Sequence, residues 1–139
     1  MKNLLKLIGI SLFGGVVLLL VLKNILNFTG NTAYVLLFNF DYIPVIKGLK
    51  PIWLFGYVFH FLTCIVSVIV LFYVLQIWNL QEKILPYILV YTVGGGALFF
   101  LTALSDQPPA VNDTMALIYW TLAHAVFGWA VGALVKRTM

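Results

Sequence analysis

Charged residues are scarce in this chain of 139 residues, where they make up 9% of the total. Soluble domains carry about 25% charged and about 45–50% apolar residues, whereas 63% of this chain is hydrophobic and its mean hydropathy is +1.09. A domain of this size leaves roughly a third of its unfolded surface exposed, so it cannot bury that many apolar side chains. A soluble globular fold and a disordered chain are therefore excluded, and the sequence predicts a membrane protein.

Cysteine and clustered basic residues are also scarce. The single cysteine, Cys64, cannot form an internal disulfide, which excludes a disulfide-stabilised scaffold. The eight Lys and Arg residues are too scattered to form the basic stripe that nucleic acids require, so no nucleic-acid partner is expected. The sequence also lacks a Gly-x-Ser-x-Gly elbow, a phosphate-binding loop and an HExxH motif. We therefore expect neither enzymatic activity nor a cofactor.

Four continuous apolar runs predict four transmembrane helices in a single domain covering residues 1–139. The length of each run is close to that of a transmembrane helix, in which about 20 residues cross about 30 Å of hydrocarbon. None of the runs shows the alternation of apolar and polar residues that is typical of a membrane β-barrel strand. The expected fold is an all-α, up-and-down bundle of four transmembrane helices. The predicted spans cover residues 4–22, 52–77, 84–104 and 115–135.

Basic residues are distributed unevenly between the two predicted membrane faces. With four spans, both termini lie on one side, and that side holds Lys2, Lys6, Lys83, Lys136 and Arg137. The opposite side holds Lys23, Lys47 and Lys50. Since short cytoplasmic loops carry the excess of Lys and Arg, we expect cytoplasmic termini in the cytoplasmic membrane of a bacterium.

The first loop, residues 23–51, contains the apolar stretch 33–40, which is too apolar for an exposed linker and too short to span the membrane. One interpretation is an interfacial or re-entrant segment with Tyr34, Phe38 and Tyr42 at headgroup level. The other is a lid packed over the ends of the helices. The sequence leaves both open.

Asp106 and Asp113 flank a Pro108-Pro109 pair in the loop after the third span. Asp113 is expected to cap the fourth helix by accepting a hydrogen bond from a free backbone N–H. The alternative is that the two carboxylates bind a cation or a lipid headgroup at the outer surface. If the protein modified lipids, these two carboxylates would be the residues that carry the activity.

His60 and His124 are the most informative residues within the predicted spans, because ionisable groups inside a membrane are rare and indicate function. The second and fourth helices run parallel in the predicted topology, so both histidines lie about 12–14 Å below the same face at about 1.5 Å per residue. The same depth along the other two helices reaches Gly14-Gly15 and Gly94-Gly96. We therefore expect the two imidazoles and the two glycine clusters in one layer.

Polar and small residues accompany these histidines at helical spacing. The resulting candidate residues for binding or proton relay are His60, His124, Cys64, Ser67, Tyr91 and Thr121. Three interpretations remain open: neutral histidines bonded to backbone or hydroxyl groups, a proton-accepting pair, since imidazole titrates near pH 6.5, or a polar pocket for a lipid headgroup or small solute. A metal site is not expected, because two histidines and one cysteine fall short of a tetrahedral ligand set.

Glycines within the spans predict close helix packing, because small residues let transmembrane backbones approach one another. The expected packing positions are Gly14, Gly15, Gly94, Gly95, Gly128 and Gly132. The Gly128/Gly132 face is also the surface expected for a homo-oligomer. Aromatic residues near the span ends, such as Trp78, Tyr87 and Tyr119, are expected to be interface anchors.

Several short motifs, spread over most of the chain, occur together in a pattern that can be compared with known families. They are residues 55–60 (FGYVFH), Tyr73, Pro108-Pro109, residues 124–129 (HAVFGW) and Lys136-Arg137. Together they resemble the YagU-like family of bacterial inner-membrane proteins. The resemblance implies a multi-pass inner-membrane architecture and a role in acid tolerance. It implies no histidine–carboxylate pair, because the stretch just before His124 lacks the acidic residue typical of the family.

The sequence thus predicts a small integral membrane protein, with a proton-linked transporter or channel component that uses His60 and His124 as the first hypothesis. The second hypothesis is a non-transporting accessory protein that binds lipid or a larger membrane partner. Membrane lipids are expected partners in both cases, and a homo-oligomer is expected in the first, because one bundle of this size is thin for a pore.

Overall fold

The computed structural model describes residues 2–40, Ile43, Val45 and residues 53–139. This part of the chain contains four helices long and apolar enough to cross a membrane, and it contains no strand. They are α1 (Lys2–Thr29), α2 (Trp53–Gln76), α3 (Ile84–Phe99) and α4 (Thr114–Thr138). Two 3₁₀ helices accompany them, η1 (Thr32–Phe38) and η2 (Phe100–Leu104). The prediction of four apolar helices is confirmed.

The first helix is longer than predicted, since it ends at Thr29 and not at Leu22. Lys23 does not end it, because a lysine stem can lie along apolar surface while its charge reaches a favourable partner. Here the Lys23 ammonium lies 5.0 Å from the centroid of the Tyr34 ring, a cation–π arrangement. The helix stops at Gly30, whose φ of +73° is a left-handed conformation that glycine adopts without strain.

The fourth helix begins with a side-chain cap. Asp113 precedes α4, and its Oδ1 accepts a hydrogen bond of 2.9 Å from the backbone N–H of Ala116. This bond satisfies one of the helix's otherwise free donors. The expected capping role of Asp113 is confirmed.

Helix α4 runs antiparallel to α1. At one end Lys6 Nζ donates to the backbone oxygen of Thr138 over 2.7 Å. Further along, a Cβ added to Gly14 would lie 2.9 Å from atoms of Phe127 and Val131. The beginning of α1 and the end of α4 therefore lie at the same end of the molecule.

Helix α4 also runs antiparallel to α3, through a glycine contact. A Cβ on Gly128 would lie 2.6 Å from the backbone oxygen of Tyr87, and one on Gly132 would lie 3.1 Å from the Cα of Ile84. The two backbones meet because neither glycine carries a side chain. The Gly128/Gly132 face is thus occupied within the chain by α3, in keeping with the helix-packing role predicted for these glycines.

The position of Tyr87 differs from the one predicted. It was predicted to anchor the helix at the membrane interface, but its side chain is 0% exposed. Its hydroxyl donates to the backbone oxygen of Gln81 over 2.8 Å. The space beside the glycines of α4 accommodates the ring, so Tyr87 belongs to the helix packing.

The apolar part of the first loop packs against the helices as a lid. Ala33, Leu36 and Leu37 of η1 are buried, and the Phe38 ring lies 4.5 Å from the Tyr57 ring, centroid to centroid. The position of Phe38 requires Gly56, where an added Cβ would lie 2.8 Å from the Phe38 Cβ. These contacts hold η1, which we call the lid, against α2.

Two polar contacts complete the attachment of the lid. Asn39 Nδ2 donates to Ser105 Oγ over 2.7 Å, which joins the lid to the end of η2. Burial, together with a hydrogen bond to Tyr57, raises the pKa of Tyr34 to about 12, so this phenol stays protonated. The predictions for Tyr42, Lys47 and Lys50 concern residues outside the part of the chain that the structure describes.

We expect Gly128→Ala to lower the free energy of unfolding by about 1–3 kcal/mol, because the new methyl group meets the Tyr87 carbonyl and overpacks the α3–α4 contact. Thermal unfolding in detergent micelles measures the effect. Gly9→Ala is the matched control, since no described atom outside its own helix backbone lies within 4 Å of that Cβ. Equal unfolding temperatures for the two variants would contradict the prediction.

Candidate functional site

His60 and His124 line the same cavity, which has a volume of about 260 Å³ and is bordered by all four helices and by η1. Of the six residues predicted for binding or proton relay, the structure brings five to this cavity. They are His60, Cys64, Ser67, Tyr91 and His124. The polar stripes predicted on α2, α3 and α4 therefore face one another inside the helices.

His60 is held on α2 by a contact with α1. The ring is 4% exposed, and its Nε2 lies 3.1 Å from the backbone oxygen of Gly15. Since a carbonyl only accepts, Nε2 carries the proton of the neutral ring, and Nδ1 keeps its lone pair. Cys64 Sγ lies 4.0 Å from that Nδ1. Glycine at position 15 leaves room for α2 to pack against α1 here, because a Cβ at that position would lie 3.3 Å from Cys64 Sγ.

His124 is held on α4 in the complementary way. Its Nδ1 lies 2.8 Å from the backbone oxygen of Trp120, one turn earlier in the helix. Nδ1 therefore donates, and Nε2 is the nitrogen left with a lone pair. The ring packs directly on Gly95, where an added Cβ would lie 2.5 Å from the His124 Cγ. Only glycine at position 95 leaves room for the imidazole.

Trp120 joins α4 to α3 at the level of this site. Its indole Nε1 donates to the backbone oxygen of Gly95 over 2.7 Å, and its ring centroid lies 4.4 Å from that of His124. The indole thus forms one wall of the cavity and holds the glycine against which the imidazole packs.

Ser67 and Tyr91 connect α2 with α3 through a long hydrogen bond. The Tyr91 hydroxyl donates to Ser67 Oγ over 3.5 Å, and Ser67 in turn donates to the backbone oxygen of Cys64 over 3.0 Å. The Tyr91 ring also packs edge-on against Phe127, with centroids 4.7 Å apart. Both hydroxyls belong to the polar part of the cavity wall.

Thr102 is a cavity residue that the sequence analysis missed. It lies in η2, is 4% exposed and lines the cavity. Its Oγ1 is buried and has no hydrogen-bond partner among the described residues. The sequence could have identified Thr102 as a cavity residue, because it follows Gly95 by seven residues and that spacing places both on one face of a helix.

Two predicted residues have different surroundings from those expected. Thr121 does not line the cavity, and its Oγ1 lies 3.3 Å from where a Cβ on Gly96 would be. Gly94 does not pack against another helix: it is exposed, and no described atom outside its own helix backbone lies within 4 Å of a Cβ built on it. Gly94 is instead part of the cavity rim.

The loop carboxylates lie away from this site. Asp113 is engaged as the cap of α4, and Asp106 is exposed. In the described ranges, no three residues of the His, Cys, Asp and Glu types lie close enough together to hold a metal ion.

No family model, curated protein or solved structure matches this chain. The resemblance to YagU-like proteins therefore stays an expectation from the sequence. The function has to be inferred from the geometry of the cavity itself.

We expect Trp120→Phe to destabilise the protein by about 0.5–1.5 kcal/mol, because it removes the hydrogen bond to Gly95 between two helices. Thermal unfolding in micelles is the measurement, with Trp129→Phe as the control, since Trp129 is 58% exposed. If the Trp129 variant loses as much stability as the Trp120 variant, the hydrogen bond is not the cause.

Proposed function

We propose that this chain is a proton-linked transporter or channel component in which His60 and His124 accept and release protons within one shared cavity. The observation that carries the proposal is that both rings line this cavity while each uses one nitrogen for a backbone carbonyl. Each neutral ring keeps a second nitrogen as a proton acceptor.

The composition of the cavity wall supports the same role. None of the described residues that line it is Asp, Glu, Lys or Arg. The two imidazoles are thus the lining groups whose ordinary titration range is near neutral pH.

The proposed arrangement is an up-and-down bundle in the cytoplasmic membrane of a bacterium, with cytoplasmic termini. The contact between Lys6 and Thr138 supports termini on one side. Lys83 and Lys136 border the same surface depression, which gathers basic residues at that end. A homo-oligomer, or a larger membrane partner, would have to use a surface other than the occupied Gly128 face.

Proton flux into liposomes that contain the purified protein tests the proposal. We expect a pH gradient between about pH 5 and pH 8 to drive flux above that of empty liposomes, and the double variant His60→Gln/His124→Asn to abolish it. The glutamine amide takes the place of the Nε2 donor to Gly15, and the asparagine amide that of the Nδ1 donor to Trp120. Both replacements keep the observed donor and remove the titratable ring.

Thr92→Val is the matched control. Thr92 is half-buried on α3, its hydroxyl donates within its own helix to Ile88 over 2.6 Å, and it does not line the cavity. Flux equal to that of empty liposomes at every pH, or unchanged flux in the double histidine variant, would overturn the proposal.

The second candidate function is a non-transporting accessory protein that binds a lipid. The cavity is open on one side, where its rim includes the exposed residues Thr63, Val90, Gly94 and Leu98. An opening between membrane-spanning helices favours exchange with the lipid. Absent flux, combined with ligand binding in the experiment described next, would favour this candidate.

A further inference from the structure

The cavity opens sideways between α2 and α3. Its exposed lining residues are Thr63 on α2 and Val90, Gly94 and Leu98 on α3. The lining residues from α1, α4 and η1 are all buried. In a membrane this opening faces the hydrocarbon, since it lies midway along helices that span it.

The surroundings of the opening are apolar. On α2, Leu62 and Val66 are exposed, and on α3 Val93 is exposed. The long hydrogen bond from Tyr91 to Ser67 joins the two helices beside the cavity. A molecule dissolved in the lipid can therefore approach the cavity without crossing a polar surface, whereas an ion or a water-soluble solute would have to cross the hydrocarbon first.

The interior of the cavity presents a specific set of hydrogen-bonding groups. His60 Nδ1 and His124 Nε2 are acceptors, because the other nitrogen of each ring donates to a backbone carbonyl. Thr102 Oγ1 is buried without a partner among the described residues, although a hydroxyl both donates and accepts. A complementary ligand carries hydroxyl donors for the imidazoles and an oxygen that accepts from Thr102.

The shape and wall of the cavity favour a flat ring. Tyr91, Trp120 and Phe127 contribute aromatic surface to it, which packs well against another ring. An apolar cavity of about 150 Å³ accommodates a benzene molecule. The present cavity has a volume of about 260 Å³, which leaves room for hydroxyl groups and the start of a tail.

We propose that this cavity binds a lipid-soluble phenol of the hydroquinone type, with its ring between the histidines and its apolar tail leaving between α2 and α3. The ligand's hydroxyls donate to His60 Nδ1, in competition with the Cys64 thiol 4.0 Å away, and to His124 Nε2, and Thr102 donates to a ligand oxygen. The inference rests on the proposed function only in taking the His60–His124 cavity as the working site, and it concerns binding, with no redox step.

Equilibrium binding of a decyl-tailed hydroquinone, kept reduced under argon, tests the inference in phosphatidylcholine nanodiscs. We expect saturable binding above that of empty nanodiscs, and at least about tenfold weaker binding of the corresponding dimethyl ether, which has lost both donors. Binding no greater than partition into empty nanodiscs would overturn the inference. Equal affinity for the ether would overturn the role of the histidines as acceptors.

The lateral opening is tested by filling it. Gly94→Trp places a large side chain at the rim, where no described atom outside the helix's own backbone lies within 4 Å of the new Cβ, so folding is not obstructed. Gly9→Trp is the matched control, because Gly9 has the same open surroundings on α1 and does not line the cavity. We expect the first variant to lose hydroquinone binding and the second to keep it. Loss in both, or in neither, contradicts entry between α2 and α3.

Thr102→Val separates a ligand contact from a purely structural role. Valine has nearly the same shape, so we expect hydroquinone affinity to fall about fivefold to tenfold while thermal stability stays equal or rises, since an unpartnered buried hydroxyl is removed. Unchanged affinity would show that Thr102 does not contact the ligand.

The binding and flux experiments fail independently. Binding without flux leaves this inference standing and removes the proton-linked function. Flux without binding leaves the proton-linked function standing and removes the phenol.

Discussion

Each histidine of α2 and α4 bonds to a backbone carbonyl inside an apolar protein: His60 reaches α1, whereas His124 bonds within its own helix and packs on a glycine of α3. His60 bonds to the carbonyl of Gly15, and His124 lies directly on Gly95. In hydrocarbon no water is present to satisfy a polar group, so partners must come from the protein. A methyl group on Gly95 would collide with the His124 ring, and one on Gly15 would meet Phe61 and Cys64, which flank His60 on α2.

The carbonyls that serve this layer are already part of helices. A backbone oxygen has two lone pairs, and a helical hydrogen bond uses one of them. Gly15, Gly95 and Trp120 can therefore accept a side-chain donor without breaking the helical pattern. The arrangement satisfies one nitrogen of each imidazole through the backbone, and the second nitrogen of each neutral ring keeps its lone pair.

Counting residues along helices predicts that the histidines and the two glycine clusters share a layer, and in the structure His60 bonds to Gly15 while His124 packs on Gly95. Depth in a membrane depends on the rise per residue and on helix direction, and both follow from the apolar runs. Which face of a helix meets which neighbour depends on rotation and packing, and a single sequence determines these less well. Thr121 was assigned to the wrong neighbours for this reason, and Thr102 was missed although it continues the face of Gly95.

Two errors have a common physical cause. The sequence predicts that the first span ends at Leu22, just before Lys23, and that Tyr87 is an interface anchor, because charged and amphipathic side chains are typical of membrane boundaries. Lys23 instead lies over the Tyr34 ring while the helix continues, and Tyr87 is buried beside Gly128. Such side chains reach a partner several ångströms from their backbone, so their position in the sequence does not fix where the polar group lies.

The helices around the cavity are not all packed equally closely, and the difference concerns the helices between which the cavity opens. Helix α4 is held to α1 and α3 by glycine contacts, some of them directly between backbones, whereas a long hydrogen bond from Tyr91 to Ser67 joins α2 to α3 beside the opening. Thr102, whose hydroxyl has no hydrogen-bond partner in the described part of the chain, also lines the cavity. Regions with fewer close contacts open at lower free energy than the rest of a fold. The side of the protein on which the cavity opens is thus also the side at which separation of two helices would cost least.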